Sequence, residues 1–102
     1  MNQLEERRQN GLIYKNEEPK KFDVIFLNDN VTTMDFVTYV LEKVFYKTKE
    51  EAFELMMKVH NEGKAVVGTY SYDIAMTKKN KVDRMAEENG FPLEVLVKET
   101  EE

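Results

Sequence analysis

The seven residues Asn28-Asp29-Asn30-Val31-Thr32-Thr33-Met34 decide how this chain folds. Before them, Phe22 to Leu27 is almost continuously apolar; after them, apolar residues recur at helical spacing. A strand therefore runs into a helix through a short polar junction. Such a junction gathers strand-end carbonyls, the free N–H groups of a helix start, and the side-chain oxygens of Asn28 and Asp29. Read alone, Asn-Asp-Asn is a turn followed by an N-cap. The sharper alternative is a polar claw for a small cationic group, and the choice depends on what the remaining chain brings beside it.

Around this junction the elements follow from periodicity. In the strand, Phe22, Val24 and Phe26 share one face, and Asp23, Ile25 and Leu27 the other. The first helix is expected from about Thr33 to Tyr46, with Met34, Val37, Val40, Leu41, Val44 and Phe45 as its apolar stripe. Thr32 or Thr33 can cap it. Thr48-Lys49-Glu50-Glu51 is a capping box that starts a second helix after a very short turn, so the two helices are adjacent and roughly antiparallel. Its stripe is Ala52, Leu55, Met56, Val59 and His60, and Gly63 supplies a left-handed stop. A second strand spans Ala65 to Tyr70. Ser71 can cap a third helix with an inner stripe of Ile74, Lys78, Val82, Met85 and Ala86, and Asn89-Gly90 before Pro92 ends it. Leu93 to Lys98 alternates as a last strand. The order β-α-α-β-α-β predicts an α+β fold, a two-layer sandwich with a three-stranded, mainly antiparallel sheet packed on three helices.

This core occupies residues 21–98. Residues 1–20 are polar and aperiodic, and Leu4, Leu12, Ile13 and Tyr14 are too few to bury a face, so a flexible N-terminal extension is expected there. Residues 99–102 are expected as a frayed C-terminus.

Composition removes whole classes of function. The 102 residues allow one domain. Acidic residues outnumber basic ones by 20 to 15, a net charge of -5 that argues against nucleic acid as the partner. Without cysteine there is no disulfide, thiolate metal site or cysteine nucleophile, and one histidine excludes a multi-His metal centre. No serine–histidine–acid set or glycine-rich phosphate loop is present, so no cofactor is implied. The start lacks a signal-peptide apolar region and no run approaches membrane-spanning length, so a cytoplasmic monomer without membrane association is expected.

His60 lies at the edge of an apolar stripe, at the C-terminal end of its helix. Stability alone can account for it, because the negative helix end favours a cationic imidazole. Antiparallel packing would, however, bring Met56, Val59 and His60 beside Asn28, Asp29, Met34 and Val37. The result is an apolar pocket rimmed by an amide, a carboxylate and an imidazole. That chemistry suits a free amino group next to a large apolar side chain.

The chain resembles the ClpS-type adaptor family of the ATP-dependent Clp protease over roughly Lys20 to Lys98. The pieces that carry the resemblance are Val24-Ile25-Phe26-Leu27-Asn28-Asp29, Thr32 and Met34, Val59-His60-Asn61-Glu62-Gly63, Ala75-Met76-Thr77-Lys78, and Glu87-Glu88-Asn89-Gly90-Phe91-Pro92-Leu93. The resemblance implies an adaptor that is not an enzyme. It would bind proteins bearing a bulky N-terminal Leu, Phe, Tyr or Trp and deliver them to a Clp AAA+ unfoldase, ClpA or a ClpC-like relative, joined to the ClpP peptidase. By the same resemblance, Asn28, Asp29 and His60 would hold the substrate's α-amino group. Thr32, Met34, Val37, Met56, Val59 and Leu93 would line the side-chain pocket, and Asp73 and Lys78 would dock the ATPase. The chain departs from the family pattern at Asn30, where a second acid is usual, at Val31 for an aromatic, at Thr33 for proline, and at Met76 for glutamate. Two readings from other classes compete: a small amino-group enzyme with His60 as base and Asp29 as its orienter, and a structural interaction domain that binds no peptide.

Overall fold

The computed structural model describes residues 19–101. In order, the elements are β1 (Phe22–Leu27), α1 (Met34–Lys43), α2 (Lys49–Glu62), β2 (Lys64–Tyr70), α3 (Tyr72–Glu88) and β3 (Glu94–Glu99). The flexible extension expected over residues 1–20 falls, up to residue 18, outside the described residues. β1 is the central strand and pairs antiparallel with β2 on one side and β3 on the other. The strands bury alternate residues: Val24 and Phe26 in β1, Ala65 and Val67 in β2, Val95 in β3. Among the described residues, one sheet face therefore carries the helices and the other is left open. The expected two-layer α+β sandwich is the observed one.

The core is built from the predicted stripes. Val40 and Leu41 of α1, Ala52 of α2, and Ala75 and Val82 of α3 are fully buried against Val24 and Phe26. Burying a side chain such as Phe26 contributes roughly 1.5–3 kcal/mol relative to leaving it exposed. The capping box at Thr48 forms in both directions: Thr48 Oγ1 accepts from Glu51 N–H at 3.1 Å, and Glu51 Oε1 accepts from Thr48 N–H at 2.9 Å.

Four local expectations are corrected. α1 ends at Lys43, not Tyr46. Val44 and Phe45 keep the helical apolar spacing because they are buried, but they do so from the turn, with the Phe45 ring edge-on to Phe26 at 5.6 Å. In α3, Ile74 is half exposed and Ala75 is buried in its place. The small alanines at 75 and 86 let α3 lie close to the sheet, so the packed stripe is Ala75, Val82 and Ala86. Ser71 is the N-cap of α3 by position, without a side-chain capping bond. The C-terminal end does not fray from Glu99: that residue pairs with Phe22, and Thr100 donates its N–H to Lys21 O at 2.9 Å and its hydroxyl to Asp23 Oδ1 at 2.8 Å. β2 also carries a bulge, since Val24 faces Gly68 while Ile25 faces Val66, leaving Val67 as the extra residue.

Candidate functional site

The pairing of β1 with β2 places Leu27 opposite Lys64, the first residue after α2 and its glycine stop. The end of α2 therefore lands beside the junction that follows β1. Asn28 N–H donates to Gly63 O at 2.9 Å and ties the two together. Gly63 can close α2 there because its φ is 89°, a left-handed conformation that glycine adopts without penalty. His60, one turn earlier, is thereby held at the same spot as Asn28.

Asp29 builds the loop. Its Oδ1 accepts from Val31 N–H at 2.8 Å and from Thr32 N–H at 2.6 Å, and its Oδ2 accepts from the Thr32 hydroxyl at 2.7 Å. This draws Thr32 away from the helix start, and Thr33 is the N-cap of α1, its hydroxyl accepting from Phe36 N–H at 3.1 Å. Partial burial pushes the Asp29 carboxyl up, but the hydrogen bonds from Thr32 and Val31 outweigh it and hold the group below its ordinary range. An ionised carboxylate offers about four acceptor positions. With three used inside the loop, about one stays open.

Between this loop and α2 lies a cavity of about 240 Å³, lined by Asn28, Asp29, Asn30, Thr32, Met34, Val37, Met56, Val59 and His60. Val37, Met56 and Val59 are buried and form the apolar part. Asn28, Asn30 and His60 are exposed on its polar side, and Met34 stands 45% exposed in the first turn of α1. The structure thus brings together eight of the nine residues expected in the amine claw and side-chain pocket. Leu93 is the exception: it is buried in the core just before β3 and is absent from the cavity lining. Asn30 lines the cavity although sequence reasoning gave it no place there; its position next to Asp29 was the available signal.

A second depression, of about 400 Å³, lies over the open sheet face near Ile25 and Val66, with Lys64, Lys98, Glu62 and Glu99 around it. It is larger, but its charges are of both signs and it lacks an apolar floor with polar groups converging on one point. The smaller cavity has both features and is the stronger candidate. Chemically it offers acceptors to a cation beside room for an apolar group. Among the described residues no three His, Cys, Asp or Glu side chains cluster to hold a metal, and no helix is long and apolar enough to cross a membrane.

The two residues expected to meet an ATPase lie on α3, Asp73 in its first turn and exposed, Lys78 half-buried with its amine donating to Val44 O at 2.7 Å.

Comparison with known proteins agrees with this architecture. The family described as "ATP-dependent Clp protease adaptor protein ClpS" matches residues 17–96. The ATP-dependent Clp protease adapter protein ClpS of Wolinella succinogenes is 52% identical over 82 residues, 80% of each chain. That of Treponema denticola is 47% identical over 97 residues, 93% of this chain and 96% of the relative. Among solved structures, Agrobacterium tumefaciens ClpS2 bound to L-phenylalaninamide superposes with a TM-score of 0.79 at 37% identity, covering 81% of this chain and all of that one. The strand–junction–helix opening, the α2 stop that meets it and the sheet order are therefore those of a shared fold, and this chain belongs to the ClpS family, whose members are adaptors of the ATP-dependent Clp protease and not enzymes.

Proposed function

We propose that this adaptor captures proteins by a bulky hydrophobic N-terminal residue (Leu, Phe, Tyr or Trp) and delivers them to a Clp AAA+ unfoldase, ClpA or ClpC-like, coupled to the ClpP peptidase in the cytoplasm. The observation that carries this reading is the cavity between the Asn28–Met34 loop and α2, which joins an apolar floor to a rim of hydrogen-bond acceptors. In the binding mode proposed, the α-ammonium lies between Asn28, Asp29 and His60. Asp29 gives its open acceptor position to a charge-assisted hydrogen bond, and His60 gives a ring nitrogen. The side chain enters over Thr32 and Met34 onto Val37, Met56 and Val59. Only the first residue of a protein has a free amine and a side chain on the same carbon, so the site selects for position in the chain as well as for residue type. The ligand of the Agrobacterium ClpS2 structure, L-phenylalaninamide, has that combination.

Delivery would use α3, where Asp73 and Lys78 stand, and the residues before Pro19 as the segment handed to the unfoldase. The test is degradation of one folded reporter carrying N-terminal Phe or N-terminal Gly by an unfoldase–peptidase pair, with and without the adaptor. The adaptor should accelerate loss of the Phe reporter only. Equal effects on both reporters, or none on either, would overturn the reading.

A further inference from the structure

The chain has six methionines and no cysteine, so a two-electron oxidant such as a hydroperoxide meets sulfur only as thioether. Among the described residues these thioethers are not equally open. Met56 is buried, at 5% exposure; Met57 and Met85 are partly buried against the core, and Met76 is partly buried on α3. Met34 alone is exposed, at 45%.

The exposed thioether is also the one at the mouth of the cavity. Met34 is the first residue of α1 and lines the cavity with Val37, Met56 and Val59. Two sulfurs therefore meet one cavity, Met34 from its open side and Met56 from within the core. The backbone that presents Met34 is fixed by other groups. Asp29 holds Thr32, the Thr33 hydroxyl caps α1, and the Thr38 hydroxyl donates to Met34 O at 3.2 Å. The Met34 side chain stands outside the buried core cluster, so a change at its sulfur leaves helix-on-sheet packing intact.

Resting on the capture reading above, we propose that Met34 is an oxidation site, through which a hydroperoxide lowers capture of bulky N-terminal residues and reduction restores it. The step is a two-electron oxygen transfer. The Met34 sulfur attacks one peroxide oxygen, the O–O bond breaks and an S–O bond forms. The proton on the transferred oxygen passes to the departing one, which leaves as water or, from an alkyl hydroperoxide, as an alcohol. Sulfur is oxidised and the peroxide reduced. A methionine sulfoxide reductase driven by a dithiol reverses the change: the dithiol becomes a disulfide and the oxygen leaves as water. The sulfoxide is polar where the thioether was apolar. At its exposed position it stays hydrated while the cavity is empty. A bulky apolar side chain entering over Met34 strips that water and offers no donor in return, a cost the thioether does not carry. Asn28, Asp29 and His60 are untouched, so oxidation acts on the side-chain half of recognition and not on the amine half.

The test compares the full-length adaptor untreated, treated with hydrogen peroxide, and treated and then incubated with a methionine sulfoxide reductase and a dithiol. Peptide mapping by mass spectrometry should find the added oxygen on Met34 before Met56, Met57, Met76 or Met85. A Phe-initiated peptide should bind the Met34-oxidised form about tenfold more weakly. The loss should follow the fraction of Met34 oxidised, and reduction should restore affinity. Met1 lies outside the described residues, so Met34→Leu isolates the share of Met34. Whatever the affinity of that variant, peroxide should leave it unchanged. Equal affinity before and after oxidation of Met34 overturns the proposal. So does earlier oxidation of a buried methionine, or a loss that Met34→Leu shares, which would trace to another methionine or to unfolding. If the untreated parent binds no Phe-initiated peptide, the capture reading falls and the oxidation site with it; binding that survives oxidation removes the oxidation site alone.

Discussion

Asp29 is occupied before any ligand arrives. Its carboxylate holds Val31 and Thr32 in place, and about one acceptor position remains for an ammonium. Asparagine can keep such a turn without the charge. Asp29→Asn should therefore leave the fold intact and weaken binding of a Phe-initiated peptide by about tenfold or more, read by titration. The same carboxyl affects acid stability. Its folded value lies below the ordinary one, so its contribution is present above about pH 4 and is lost as pH falls through the folded value. Asp29→Asn should flatten the acid limb of a pH–stability profile, and an unchanged limb would contradict this. His60 offers a ring nitrogen as a further acceptor at the cavity rim. His60→Ala should weaken binding of the same Phe-initiated peptide by several-fold, read by titration, and an unchanged affinity would reduce His60 to a helix-end residue. Individual contacts were the least legible part of the sequence. Thr32 and Thr33 were equivalent as caps until Asp29 engaged Thr32, and spacing alone could not tell that Leu93 enters the core and Asn30 the cavity.

Elements were more legible, because the sequence switches period sharply. The apolar run Phe22–Leu27 stops at Asn28, and helical spacing begins by Met34. The α2 boundaries were readable from a capping box and a glycine, two features with one dominant meaning each. The end of α1 was not, because buried residues in a tight turn can continue a helical apolar pattern, as Val44 and Phe45 do. The α3 stripe was misplaced because hydropathy favours Ile74, whereas close packing on the sheet favours the smaller Ala75. Gly63 is where element structure and site structure meet. A Cβ there would touch nothing, so Gly63→Ala should cost only the left-handed backbone, roughly 1–2 kcal/mol. For a domain of this size that lowers the melting temperature by roughly 4–8 °C per kcal/mol. Because Gly63 O holds Asn28 N–H, peptide affinity should fall along with stability. Calorimetry and titration on the same variant check both, and loss of stability with full affinity would separate the helix stop from the site.

At the scale of the whole molecule, the proposed function separates the residues that would bind a substrate from those that would meet the unfoldase. The cavity is built at one end of the β1–β2 pair, from loop and α2, while Asp73 and Lys78 belong to α3. In the proposed function capture and docking use different residues, and variants should separate them. Deleting residues 1–15 should leave peptide affinity unchanged and slow degradation of a Phe-initiated reporter, because that segment supplies too few apolar residues for a core of its own. Undiminished degradation would make it a passive leader. The fold was legible at this scale because few arrangements bury three amphipathic helices on three strands in this order. The central claim is that the cavity reads a free α-amine beside a bulky side chain. Its most direct test is a titration of two peptides that begin with Phe and differ only in acetylation of the α-amine. A charge-assisted hydrogen bond contributes roughly 1.5–3 kcal/mol, so the acetylated peptide should bind at least about tenfold more weakly; equal affinity for the two would contradict the account.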